Sequence, residues 1–79
     1  MVPESSDGLL TRRQTAEALT EAGFPVSDKT LATLATRGGG PLYRKFGPRV
    51  LYRWGDALDW AHSRLSDARA STSEHEAAA

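Results

Sequence analysis

The chain contains no cysteine, which excludes disulfides and thiolate metal sites and makes a reducing compartment, the cytoplasm, its expected home. Its only imidazoles are His62 and His75, and His62 has just Asp59 and Ser66 near it on a helix, so no metal-ligand set is expected. Long apolar runs are also missing. Nowhere do four residues of the AVILMFWYC set follow one another, which excludes a membrane span, and Met1 to Asp7 lacks the basic start and apolar stretch of a signal peptide. Neither sign of charge is in excess, since ten Lys plus Arg balance ten Asp plus Glu. Taken as a sum, that neutrality speaks against a polyanionic partner. Size excludes more: 79 residues make one domain at most, and a chain this small buries only about 60% of its unfolded surface. No deep cleft is expected, and no nucleophile, base and orienting group converge in any motif. Binding is therefore expected rather than catalysis, with no cofactor and no small-molecule substrate.

What is present is ordered punctuation. Residues 1–8 and 67–79 lack a periodic pattern and are expected to be a flexible leader and tail around one domain, 9–66. Gly23-Phe24-Pro25, Gly38-Gly39-Gly40-Pro41 and Gly47-Pro48 cut that domain into four pieces. In the first, Thr11 and Gln14 form a T-x-x-Q capping box, Ala16, Leu19 and Ala22 give an apolar stripe, and Gly23 supplies a left-handed stop, which predicts a helix over Arg12 to Ala22. In the second, Ser27 caps, Asp28 suits the positive helix end, Leu31, Leu34 and Ala35 repeat at helical spacing, and Arg37-Gly38 closes. The short link, plugged by Phe24 and Val26, permits only an angled helix pair, the outline of a helix-turn-helix.

Leu42 to Phe46 and Val50 to Arg53 alternate apolar and basic residues around Gly47-Pro48-Arg49, which predicts a small hairpin, or wing. A third helix follows from about Gly55, with Leu58, Ala61 and Leu65 as its stripe and Trp54 one turn before them. The fold class expected is mainly α with a small β-hairpin, a winged helix-turn-helix. Short helices and a lone hairpin are each unstable alone, so Trp54, Trp60, Tyr43, Tyr52 and the two Phe are expected to supply much of the core, with Trp60 and Phe24 the most damaging truncations.

Dividing the charge by segment changes its meaning. Residues 1–8 carry Glu4 and Asp7, and the tail carries Asp67, Glu74 and Glu76 against Arg69. Leu9 to Leu65 holds nine basic residues against five acidic ones, and Arg37 to Arg53 contains five bases and no acid. Arg44, Lys45 and Arg49 around the slim Gly47-Pro48 tip, beside a helix-turn-helix, form a sensible nucleic-acid contact; the plain alternative is a solvated edge that protects a small sheet. Arg12 and Arg13 oppose the dipole of the first helix, which phosphate contact would explain and which Glu17, four residues after Arg13, could instead offset. Lys29 reads as a base or phosphate contact or a plain surface lysine, and Arg37 as a backbone contact or a cation settling the helix end. The glycine triplet follows a helix and precedes a strand, the reverse of a phosphate loop, and reads as a hinge.

Thr11-Arg12-Arg13-Gln14-Thr15-Ala16-Glu17-Ala18-Leu19, Ser27-x-x-Thr30-Leu31, Gly39-Gly40-Pro41-Leu42-Tyr43-Arg44-Lys45-Phe46-Gly47 and Tyr52-x-x-x-Asp56-x-x-x-Trp60, in that order, resemble the small winged helix-turn-helix excisionase family, which includes AlpA-type phage regulators. The resemblance covers Leu9 to Leu65. It implies a recombination directionality factor or transcriptional regulator with the second helix in the major groove and the wing in the adjacent minor groove. Carried over by position, Ser27, Asp28, Lys29, Thr30 and Thr33 are the reading residues; Arg44, Lys45, Gly47 and Arg49 belong to the wing, and Arg12, Arg13 and Arg37 to the DNA backbone.

The chain has Ala32 and Thr33 where relatives often carry Arg, so shape readout or several protomers side by side are expected. Its turn, Glu21 to Pro25, is also longer than theirs. The partners implied are double-stranded DNA, an integrase of the tyrosine recombinase type, and further copies of the chain assembling cooperatively. The function expected is an excisionase that bends attachment-site DNA. The alternatives are a transcriptional regulator of the same fold, or an antiactivator-like protein-binding module without DNA affinity, which the neutral total charge and the lean reading helix favour.

Overall fold

The computed structural model describes residues 2–66 and 68. His75 and the expected flexible tail lie outside them, apart from Ala68. Six elements follow in order: β1 Leu9–Thr11, α1 Arg12–Glu21, α2 Asp28–Arg37, β2 Arg44–Phe46, β3 Arg49–Arg53 and α3 Trp54–Ser63. The result is a small domain of three helices and a three-stranded antiparallel sheet ordered β1-β3-β2.

Local chemistry fixes the helix ends. Thr11 and Gln14 form both halves of the expected capping box on α1. At its other end the amide of Phe24 donates to the Leu19 carbonyl at 2.8 Å and that of Gly23 to Thr20 at 3.1 Å, a closure that needs positive φ at Gly23, where φ is 105°. Ala22 is thus the cap of α1 rather than part of its buried stripe, and it is exposed. Ser27 caps α2 by accepting from the Thr30 amide, as its position predicts, and Gly38 ends that helix with φ 92°.

The sheet exceeds the expected hairpin. Leu9, Leu10 and Thr11 pair with Arg53, Tyr52 and Leu51, so β3 is a central strand and not a wing edge. Three residues are too short to carry a readable alternation, which is why β1 escapes the sequence pattern. The leader follows β1 into place: Trp54 and Gly55 donate backbone hydrogen bonds to Gly8 and Ser6, and Asp7 pairs with Arg53 at 3.0 Å. Polar composition suggested a mobile segment here, but these partners sit 46 or more residues away and leave no local signature.

The hairpin itself is shorter than the alternation predicts, β2 starting at Arg44 and not Leu42. Arg44, Lys45 and Phe46 pair with Leu51, Val50 and Arg49, leaving Gly47-Pro48 as a two-residue turn with Gly47 at φ 61°. Such turns need positive φ at the first central residue, because that twist matches the flanking strands.

Helices α1 and α3 enclose the core. Ala18, Leu19, Trp54, Ala57 and Ala61 are buried together, with Leu10, Phe24, Val26, Leu58 and Trp60 packed around them. Small alanines let the two helices approach closely, and Trp54 fills the space at the sheet end. Tyr52 is fully buried, as expected of a core ring, but Tyr43 is 43% exposed, resting 6.1 Å from the Tyr52 ring at the sheet margin. Trp60 is only half-buried, its indole N–H spent on the Gly39 carbonyl at 2.7 Å. Leu65 falls beyond α3 and is exposed. Among the described residues no helix is long and apolar enough to cross a membrane.

Candidate functional site

Each residue expected to touch a partner is placed by these elements. On α2 the side chains of Ser27, Asp28, Lys29, Thr30 and Thr33 are all exposed. Their hydroxyls are partly committed: Ser27 Oγ and Thr30 Oγ1 lie 3.0 Å apart inside the cap, and Thr33 Oγ1 donates to the Lys29 carbonyl. Ser27 and Thr30 therefore set the direction of the helix start, and Asp28, Lys29 and Thr33 hold the outward chemistry. Asp28 satisfies the helix dipole and Arg37 the opposite end.

Arg13 lies along a trough of about 720 Å³ between α1 and α2 that also contains Glu17, Glu21, Ser27 and Asp28, so one side of α1 and the start of α2 share one surface. Arg13 reaches Glu17 at 3.9 Å, an exposed pair worth a few tenths of a kcal/mol, ~0.3–0.5. Such a bond leaves the guanidinium available to a stronger anion.

Arg12 behaves differently. It is half-buried, and its Nε donates to the hydroxyl of Tyr52 at 3.1 Å, across 40 residues of sequence. That bond satisfies the polar end of a fully buried ring, which gives Arg12 a structural use that the dipole argument did not supply. Tyr52→Phe keeps the ring and removes the acceptor, so it should lower stability by about 1 kcal/mol. The same change in an Arg12→Ala background should cost almost nothing. Urea titrations of the two single variants and the double variant measure this coupling, and additive losses would refute the bond's contribution.

The strand register sorts the remaining cations. Residues paired across a sheet share a face, so Arg44, Phe46, Arg49, Leu51 and Arg53 line the outer face, while Lys45, Val50, Tyr52 and Leu10 line the face turned to the helices. Arg44, Lys45 and Arg49 are exposed, as is Gly47 between them. Arg53, counted in the basic run, is already neutralised: Asp7 lies 3.0 Å and Asp56 3.2 Å from its guanidinium. The Asp7 hydrogen bond raises its pKa, partial desolvation opposes this, and Asp56 adds to the rise, so Arg53 stays charged and fastens the leader to α3.

Among the described residues, Lys29, Arg37, Arg44, Lys45, Arg49 and Arg64 are exposed cations without an ion pair, Arg64 lying over the Trp60 ring. Phe46, on the outer face with Arg44 and Arg49, is 73% exposed. Its aromatic character predicts a place in the core, which the structure does not give it. The alternation itself already put Phe46 and Arg44 on one side of the strand, and that was the signal for it.

No group of three or more His, Asp or Glu among the described residues is placed to hold a metal. The outer face of the sheet thus presents exposed Arg44 and Arg49 beside two exposed apolar side chains, Phe46 and Leu9. No family model and no curated protein matches this chain.

Proposed function

We propose that this chain is a DNA-binding winged helix-turn-helix protein, an excisionase that binds and bends attachment-site DNA so that a tyrosine recombinase runs excision. The observation that carries this reading is the division of charge on the folded surface. Five unpaired cations lie on α2 and the β2–β3 hairpin, and the segment from Arg37 to Arg53 contributes no acid to oppose them. In this reading α2 enters the major groove, with Asp28, Lys29 and Thr33 at base edges and Arg13 and Arg37 on the backbone at either end. The hairpin then reaches the neighbouring minor groove. Such a lean reading helix gives modest affinity per protomer, and bending a site of 20–30 base pairs costs about 1–6 kcal/mol, so several copies act together.

A gel-shift titration on attachment-region DNA at a series of salt concentrations tests DNA binding. With about five phosphate contacts, log affinity should fall against log salt with a slope near −4.5. Absence of any shift at low salt would sink this reading and favour a protein-binding module. An excision assay with and without the gene then separates an excisionase from a transcriptional regulator.

A further inference from the structure

We propose that Phe46 is a wedge with which the hairpin opens a base step of duplex DNA from the minor groove; this rests on the DNA-binding reading and names the residue that does the bending. A large aromatic at 73% exposure leaves most of its apolar surface in water, and its place makes that exposure useful. Phe46 is the last residue of β2, next to the Gly47-Pro48 turn. The substantial contacts of β2 are with β3 alone, so the ring stands on a projecting ribbon with no helix covering it.

The surroundings favour DNA over an apolar protein partner. Arg49 is directly opposite Phe46 across the strands, Arg44 is two residues before it on the same outer face, and no acid occurs between Arg37 and Arg53. An apolar ring flanked by two cations, on a strand short enough to enter a groove, is the chemistry that partly unstacks a base step while phosphates on both sides are held. Asp7 and Asp56 hold Arg53 farther along the same face, which ends the cationic zone there and leaves Arg44 and Arg49 as the flanking pair. The ligand expected is a deformable pyrimidine–purine step, the cheapest to unstack.

The full chain is tested on a duplex it selects from a random-sequence pool, carrying end dyes for energy transfer and 2-aminopurine at each pyrimidine–purine step in turn. The wild type should brighten 2-aminopurine at one step and shorten the end-to-end distance. F46A should still shift the duplex, with affinity down about tenfold, but lose both signals, while F46L, which keeps an apolar wedge, should recover part of each. Circular dichroism on both variants checks that they fold. Unchanged brightening and shortening with F46A would overturn the wedge while leaving DNA binding intact. So would a change of oligomeric state in F46A with the DNA signals preserved, which would make Phe46 a protein contact. A wild type that shifts no DNA would overturn the DNA-binding reading and the wedge with it.

Discussion

Replacing Trp54 by alanine should cost the fold about 3–5 kcal/mol, the usual loss for emptying a large aromatic site. Trp54 is 3% exposed, begins α3, and packs with Ala18, Leu19, Ala57 and Ala61. Its neighbours Ala18, Ala57 and Ala61 have no side-chain length with which to fill the space it would leave. Stable domains have only about 5–15 kcal/mol in hand, and a chain of this size lies at the low end, so the variant should be largely unfolded at room temperature. Trp60→Ala should cost much less. That ring is half-buried, with its N–H on the Gly39 carbonyl and the Arg64 guanidinium 5.8 Å over its face, so part of its surface already meets water. Urea melts followed by circular dichroism decide the order. A Trp60→Ala loss equal to or above that of Trp54→Ala would contradict a core centred on Trp54.

Trp60, expected in the core, packs against its margin and is half-buried, a distinction that no local pattern carries. Capping residues and glycines act within four or five positions, so Thr11, Gln14, Gly23, Ser27 and Gly38 marked the ends of α1 and α2 correctly to within a residue. Gly47-Pro48 likewise fixed the hairpin turn. Contacts between distant segments have no such local mark. The pairing of β1 with β3, the Arg12–Tyr52 bond and the clasp of Arg53 by Asp7 each join residues about 40 or more apart, and none could be read from spacing.

Within the candidate site the consequence is specific. Residue type grouped Arg12 and Arg53 with the other cations, yet one serves a buried hydroxyl and the other a pair of carboxylates. Arg44, Lys45 and Arg49 are exposed and unpaired, because a two-residue turn with no acid near it offers them nothing to pair with. Phe46 is exposed although its hydrophobicity predicts burial, because that rule fails on a hairpin with one uncovered face.

Neutralising the hairpin, with Arg44→Gln, Lys45→Gln and Arg49→Gln combined, should weaken DNA binding by about a hundredfold near physiological salt and lower the salt slope from near −4.5 to near −1.8. The two effects share one cause. Each lost phosphate contact removes a released counterion, so three of the five contacts go, and Arg13 and Arg37 account for what remains. Folding should be nearly untouched, since all three side chains are exposed and surface changes of this kind usually fall within about 0.5 kcal/mol. Arg53→Gln provides the opposite pattern: it should destabilise the domain by releasing Asp7 and Asp56, and should leave the salt slope where it was, because that guanidinium is already matched by carboxylates. A triple variant that keeps the steep slope would move the interface off the hairpin. A flattened slope in Arg53→Gln would mean that its carboxylates yield to phosphate, and the basic zone would then extend along the whole outer face of β3.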